Sequence, residues 1–481
     1  MADTEDLKSS GSQGPCGFES RPRHQNQNLR QNSYTTFQAS SLCDRGLVLT
    51  MKRTILILAC SIAIALMGLV FIRHLIDFPV YYAAGQSLIG GRTDLYSPDF
   101  ALGTVMDYRY PPLFLVMLYP LWLMPYAVAA YVWYVLSVLE ITGCFLLVAR
   151  VFPALRQSTK NWLLVFLSVA QYFVMVLHYG NAHLPIVLLS FASFYFFLIR
   201  RDVAAGALLA LAITIKLTPI LLLPYFALKR RWKLLSAVFI LTVVFNIVPS
   251  LYFGFARNTQ LLRTWYDHVV VSQEFHEDNG PIDLSLKGEM RRYLSTIDYS
   301  QRVDGDIYYP SLNFARLDRD RVEQAWAVLA AAIFAGGLAL IGWLSRRSPG
   351  SRYSDFSGDK SDKRDDFLAS ELAFMLCLTL LVGPLTSKIY FIALLWPAAC
   401  LANFAVDTFR QGRFANRVLI ILAAINLVLP LLPGRSIQRL LLVVGADFYL
   451  NCLLIAALGY ILLTNRRAFQ RQSAAPQTQA P

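Results

Sequence analysis

A few polar residues stand out because they fall where an apolar chain has little use for them. Asp77 lies just past an apolar run, in His74-Leu75-Ile76-Asp77-Phe78-Pro79, where the proline fixes a backbone angle. A carboxylate partly stripped of water is a stronger base and can take a proton from a hydroxyl. The same residue could instead cap a following helix, since Asp before an early helical proline is a helix-start pattern. Lys216 interrupts another apolar run, with roughly a dozen apolar residues on each side, farther than a lysine side chain snorkels. It calls for an anion, either a phosphate or an acid of the chain such as Glu140 or Glu371. Lys388 offers a second cation for an anionic head group, or is an ordinary interfacial lysine. Arg109, in Tyr108-Arg109-Tyr110-Pro111-Pro112, places a guanidinium among ring faces, suited to a sugar or phosphate or simply part of an aromatic belt. His178, Asn181 and His183 flank a glycine turn and could hydrogen-bond a substrate. The histidines are poorly spaced for a metal pair and have no third ligand nearby, so no metal site is expected.

The elements that must carry these residues are membrane helices. Hydrophobic residues make up 56% of the chain and charged ones 16%, against about 25% charged in soluble domains. Apolar runs of roughly 17–25 residues, enough to cross the hydrocarbon core as helices, recur from residue 54 onward. The alternation of a barrel strand is missing, so an all-α integral membrane protein is expected. The net charge of +13 comes from Lys and Arg clustered at the ends of apolar runs, which orients a membrane protein and points to a lipid bilayer, with no nucleic acid partner. Seven cysteines show no paired spacing, and Cys60, Cys144, Cys377, Cys400 and Cys452 read as small core residues.

In chain order, residues 1–50 are polar and read as a disordered cytoplasmic tail, with Met51-Lys52-Arg53 resembling a natural start before residues 54–72, the first span. The basic pair holds that span's start inside. This places the outer loop 73–110 on the other side, with an interfacial amphipathic helix around Val80, Ala83, Ala84 and Leu88. Prolines at 111, 112, 120 and 125 suggest a re-entrant piece before the span 126–148. Spans 162–177 and 184–199 flank the outer turn 178–183, and 204–228 reads as a hairpin broken at Lys216-Leu217-Thr218-Pro219. Span 234–255 leads to the outer loop 256–321, then span 322–344 to a polar cytoplasmic linker, 346–368. Spans 371–385, 389–406, 418–432 and 440–463 close the membrane domain, 51–467, before a tail at 468–481. Both termini are expected in the cytoplasm of a plasma-membrane protein, and no internal repeat is evident.

The polar residues also form an ordered series: Asp77; Tyr81, Tyr82 and Ala84; Gly91, Leu95 and Tyr96; Tyr108, Tyr110, Pro111, Pro112 and Leu113; Gly180 and Asn181; Lys216-Leu217-Thr218-Pro219; Trp232; Ser285, Leu286 and Gly288. Over about residues 54–464 this series resembles glycosyltransferase family 87, membrane mannosyltransferase-like proteins of the GT-C superfamily. The resemblance implies a GT-C bundle of roughly 10–13 transmembrane or re-entrant helices whose extracytoplasmic loops carry the site. It implies an inverting transfer of a hexose, mannose first among the candidates, from a polyprenyl-phosphate sugar to a hydroxyl of a glycolipid or glycan acceptor. Asp77 matches the family's catalytic Asp. Arg109, Lys216 or Lys388 would meet the leaving phosphate, Tyr81, Tyr82 and Tyr110 the sugar, and the loop with Ser285 and Lys287 would close over the acceptor. No cofactor is implied, and no nucleotide-binding fingerprint occurs. Two departures are Leu385-Thr386-Ser387-Lys388-Ile389-Tyr390, where relatives carry Trp and His, and Gly180-Asn181 in place of Gly-Gln. The rival reading is a flippase or transporter that binds a lipid-linked saccharide without chemistry.

Overall fold

The computed structural model describes residue 59 and residues 61–92, 95–96, 108–153, 155, 158–271, 283–296, 310–346, 361–406 and 410–474. The expected tail 1–50, parts of both outer loops and part of the linker fall outside these residues. Residues 1–66 form one unit, described only where a helix begins, and residues 67–481 form the other.

The order is α1 (Ser61–Phe71), α2 (Phe78–Ile89), α3 (Pro112–Met117), α4 (Tyr119–Trp122), α5 (Tyr126–Val151), α6 (Thr159–Leu167) and α7 (Ala170–Tyr179). Then come α8 (His183–Leu198), α9 (Asp202–Ile215), α10 (Leu223–Leu228), α11 (Trp232–Ile247), α12 (Ser250–Phe253), α13 (Phe255–Trp265) and α14 (Leu286–Leu294). Finally there are α15 (Arg319–Arg346), α16 (Ser361–Val382), α17 (Leu395–Ala405), α18 (Arg410–Val428), α19 (Arg435–Val444) and α20 (Ala446–Ala474). Tight turns of helix at Thr218–Leu222 and Lys388–Leu394 lead into α10 and α17. Among the described residues the only strand-like pairing is a bridge between Ser295 and Leu317.

The expectation of an all-α membrane protein holds. Among the described residues six helices are long and apolar enough to cross a membrane, and the pair α6 and α7, bent by 49°, makes a seventh if it is one broken span. Ser61–Phe71, His183–Leu198, Asp202–Ile215 and Thr218–Leu228 are shorter apolar helices. The proline-rich stretch forms α3 and α4, of 6 and 4 residues, too short to cross. α16 begins at Ser361 within the expected linker, and α20 continues into the expected tail. Lysine, arginine, glutamine and alanine propagate a helix well once a membrane span has nucleated it.

The core centres on α16 and α17, where Trp396 is fully buried among Phe152, Phe191 and Phe194 and its indole donates to Ala369 O at 3.0 Å. With lipid around the bundle, such close packing and satisfied donors hold the helices together more than exclusion from water does. A second cluster gathers α2, α3, α4 and the start of α5 around Phe78, Tyr81, Phe114 and Trp133. It fastens α2 in place. Gly85 lies flat against Trp122, where a Cβ would come within 2.3 Å of the indole. Gln86 donates to Trp122 O at 2.5 Å, and the Tyr82 hydroxyl to Met124 O at 2.7 Å. The expected amphipathic helix is thus present as α2, with its inner face packed on the bundle.

Candidate functional site

Asp77 occupies the position just before α2, followed by proline as the sequence suggests, but its side chain makes no capping hydrogen bond to the helix. The capping alternative is therefore set aside. Instead the residue is docked on the turn after α7. The backbone N–H groups of Ile76 and Asp77 both donate to Tyr179 O, at 3.1 and 2.8 Å. Gly180 follows with φ +63°, and a Cβ there would lie 2.9 Å from Leu75 and 3.1 Å from Phe78, so glycine serves both the left-handed turn and the close approach. Trp133 donates to Gly180 O at 2.9 Å and braces the turn from α5.

That turn delivers Asn181, whose Nδ2 donates to Asp77 Oδ2 at 2.5 Å while its Oδ1 accepts from the His183 N–H at 2.8 Å. Asp77 is 8% exposed, and among the described residues its Oδ1 accepts no hydrogen bond. Burial raises its carboxyl above the ordinary value; the Asn181 hydrogen bond, then Lys216 and Arg109, offset part of that rise. The Tyr81 hydroxyl accepts from the Ala182 N–H at 3.3 Å and donates to the Tyr110 hydroxyl at 3.2 Å. Tyr110 stacks on Phe114, their centroids 4.6 Å apart. Trp265 on α13 donates to Arg109 O at 3.1 Å, so the second outer segment is tied to the first.

Lys216 sits in extended conformation just after α9, at the break expected at Lys216-Leu217-Thr218-Pro219. Its ammonium bonds the Tyr390 hydroxyl and lies 3.8 Å from the Tyr390 ring centroid. His183 stacks on Tyr390, the ring centroids 4.3 Å apart, with a buried Nδ1 that has no hydrogen-bond partner among the described residues. Neither acid suggested by the sequence pairs with Lys216: Glu371 is held by Lys229 at 2.6 Å. Tyr390 was not singled out by its sequence. Its neighbour Lys388 carries the conspicuous charge, but three residues per turn in the helix Lys388–Leu394 send positions two apart to different faces. Lys388 reaches Asp447 at 3.6 Å instead.

The structure thus gathers Asp77, Tyr81, Arg109, Tyr110, Asn181, His183 and Lys216, and adds Tyr390 and Trp133. Other candidates lie in different surroundings. Tyr82 faces Trp122 and Tyr126, and His178 sits at the edge of Phe71 with ring centroids 6.3 Å apart. Ser285 caps α14, accepting from the Gly288 N–H at 3.3 Å. Lys287 lies 4.9 Å above the Trp326 ring and 3.9 Å from Glu323. The start of α14 is tied to the segment that precedes Tyr390, because Leu284 N donates to Thr386 O at 2.7 Å and Thr386 N to Asp283 Oδ1 at 3.0 Å.

Fold and site define a multi-span membrane protein with a buried acid and a cation in one polar cluster, the equipment of a membrane enzyme. The model of glycosyltransferase family 87 matches residues 108–357 of the 481, just over half of the chain, and the chain belongs to that family. That family is one of glycosyltransferases. The polyprenol-phosphate-mannose-dependent alpha-(1-2)-phosphatidylinositol pentamannoside mannosyltransferase of Mycolicibacterium smegmatis is 28% identical over 181 residues, covering 35% of this chain and 42% of that protein. The chain therefore matches less than half of that relative's length. No solved structure matches the chain significantly. The family match takes in Asn181, His183 and Lys216 but starts after Asp77.

Proposed function

We propose that the protein transfers a mannosyl residue from a polyprenyl-phosphate mannose to a hydroxyl of a glycolipid or glycan. The transfer takes place on the extracytoplasmic side of the cell membrane. Support for the donor comes from the Mycolicibacterium smegmatis relative, which is polyprenol-phosphate-mannose-dependent. Support for the chemistry comes chiefly from one observation: a buried carboxylate that does not cap its own helix, held through one oxygen by a neutral amide, with no hydrogen bond to the other among the described residues.

On this reading Asp77 Oδ1 takes the acceptor's proton as the acceptor oxygen attacks the anomeric carbon. The bond from that carbon to the phosphate oxygen breaks on the opposite face, its electron pair leaves with the polyprenyl phosphate, and the configuration inverts. Burial makes Asp77 a better base than an exposed aspartate. Lys216, fixed against Tyr390, and Arg109 meet the growing charge on the phosphate, which stabilises the transition state more than protonating the leaving group would. Tyr81 and Tyr110 frame the sugar. Ser285 and Lys287, buried at the start of α14, act by holding the segment tied to Thr386. Lys388, bound to Asp447, holds the turn that presents Tyr390. The loops 73–110 and 256–321 then face outward, and both termini and the linker 346–368 lie in the cytoplasm.

The test is transfer by purified protein in nanodiscs, supplied with labelled polyprenyl-phosphate mannose or GDP-mannose and a panel of acceptors that includes phosphatidylinositol mannosides. Label should reach a glycolipid or glycan from the lipid donor alone. Direct use of GDP-mannose, or inactivity with every lipid-linked hexose, would overturn the reading.

A further inference from the structure

The Asn181 side chain has both of its polar ends engaged inside the protein, and one of those contacts fixes the identity of the other. A backbone N–H can only donate, so the atom that meets the His183 N–H at 2.8 Å must be the amide oxygen. The nitrogen therefore faces Asp77 Oδ2, 2.5 Å away, and donates to it. The amide cannot flip without losing both bonds. Its backbone is equally constrained: it follows Gly180 at φ +63°, and the same turn accepts the N–H groups of Ile76 and Asp77 through Tyr179 O. Asn181 itself is 9% exposed.

We infer that Asn181 is a positioning residue that acts through Asp77, orienting the carboxylate so that Oδ1 faces the acceptor and stabilising its ionised form. This rests on Asp77 being the base of the proposed transfer, and it moves Asn181 from contacting substrate to preparing the group that does. The other groups facing the carboxylate are Lys216 and Arg109, Tyr81 on its own helix and Tyr110 opposite, with the buried His183 ring beyond the amide. Lys216 is engaged by Tyr390, and among the described residues Asn181 is the donor in direct contact with Asp77 Oδ2.

The carboxylic acid C=O stretch of Asp77 can be followed by infrared difference titration, using Asp77→Asn in each background as the subtraction. The wild type is compared with Asn181→Ala, Asn181→Gln and Asn181→Asp. A charge-assisted hydrogen bond of ordinary strength predicts that Ala raises the titration midpoint by about one pH unit. Gln falls between wild type and Ala. Asp raises the midpoint furthest, because two adjacent carboxylates share one proton, and being isosteric it keeps the turn even if Ala loosens it. In transfer assays with polyprenyl-phosphate mannose, Ala lowers kcat most at acidic pH and leaves the donor KM unchanged. Midpoints that do not move in Ala and Asp would overturn the inference, as would a raised KM with an unchanged pH profile. Retained transfer in Asp77→Asn would instead overturn the base assignment and leave the infrared result standing.

Discussion

Asp77 and Glu371 are both carboxylates buried among apolar helices, 8% and 0% exposed, but they are held by partners of different kinds. Glu371, on α16, is gripped by the Lys229 ammonium at 2.6 and 2.7 Å and by the Tyr225 hydroxyl at 3.1 Å, and Lys229 also donates to Ser345 at 2.7 Å. Neighbouring pairs repeat the pattern: Arg231 meets Asp202 at 2.6 Å and stacks over Phe197. There each of the two carboxylates meets a cation in direct contact, which ties α9 and α16 to the segment between α10 and α11, and both oxygens of Glu371 are taken. At Asp77 the contacting partner is a neutral amide, while Lys216 is engaged by a phenol. The difference separates an acid used as a fastener from an acid left able to gain a proton.

Three variants would break or sharpen that contrast. Lys216→Met should lower kcat/KM about a hundredfold, as loss of one donor to a developing anion does elsewhere, with stability little changed. Full activity in this variant would remove Lys216 from the reaction. Glu371→Ala should act the other way, destabilising the protein by about 3 kcal/mol because it strands a buried ammonium, while the activity of each folded molecule persists. Replacing both partners, Glu371→Leu with Lys229→Met, should recover most of the lost melting temperature in detergent. A single variant as stable as wild type, or a double variant no better than the single, would contradict the fastener role.

The sequence carries the fold more openly than the site. Long apolar runs and flanking basic residues announce the spans. Pro219 after Lys216 announces the break between α9 and the turn that begins at Thr218, because proline removes a helix donor and constrains its predecessor. Partnerships across the chain are another matter. Asp77 and Asn181 are 104 residues apart, and nothing local to either names the other. Lys216 looks as though it needs an acid because of its apolar neighbours, but the bundle brings Glu371 to Lys229 and a tyrosine to Lys216. His178 and His183 look alike in sequence. The left-handed turn at Gly180 lies between them, with one at the edge of Phe71 and the other in the stack on Tyr390.

The central claim is that Asp77 removes a proton from the acceptor, and the most direct test is the pH profile of single-turnover transfer in wild type and Asp77→Asn. A base must be ionised to act, and burial raises the Asp77 carboxyl above its ordinary 3.8. Wild-type transfer should therefore fall away on acidification at a higher pH than an exposed aspartate would give. Asp77→Asn, folded and still binding donor, should be slower by about a hundredfold or more and should lose that acidic limb. A variant that keeps the wild-type rate, or slows while keeping the same limb, would contradict the account.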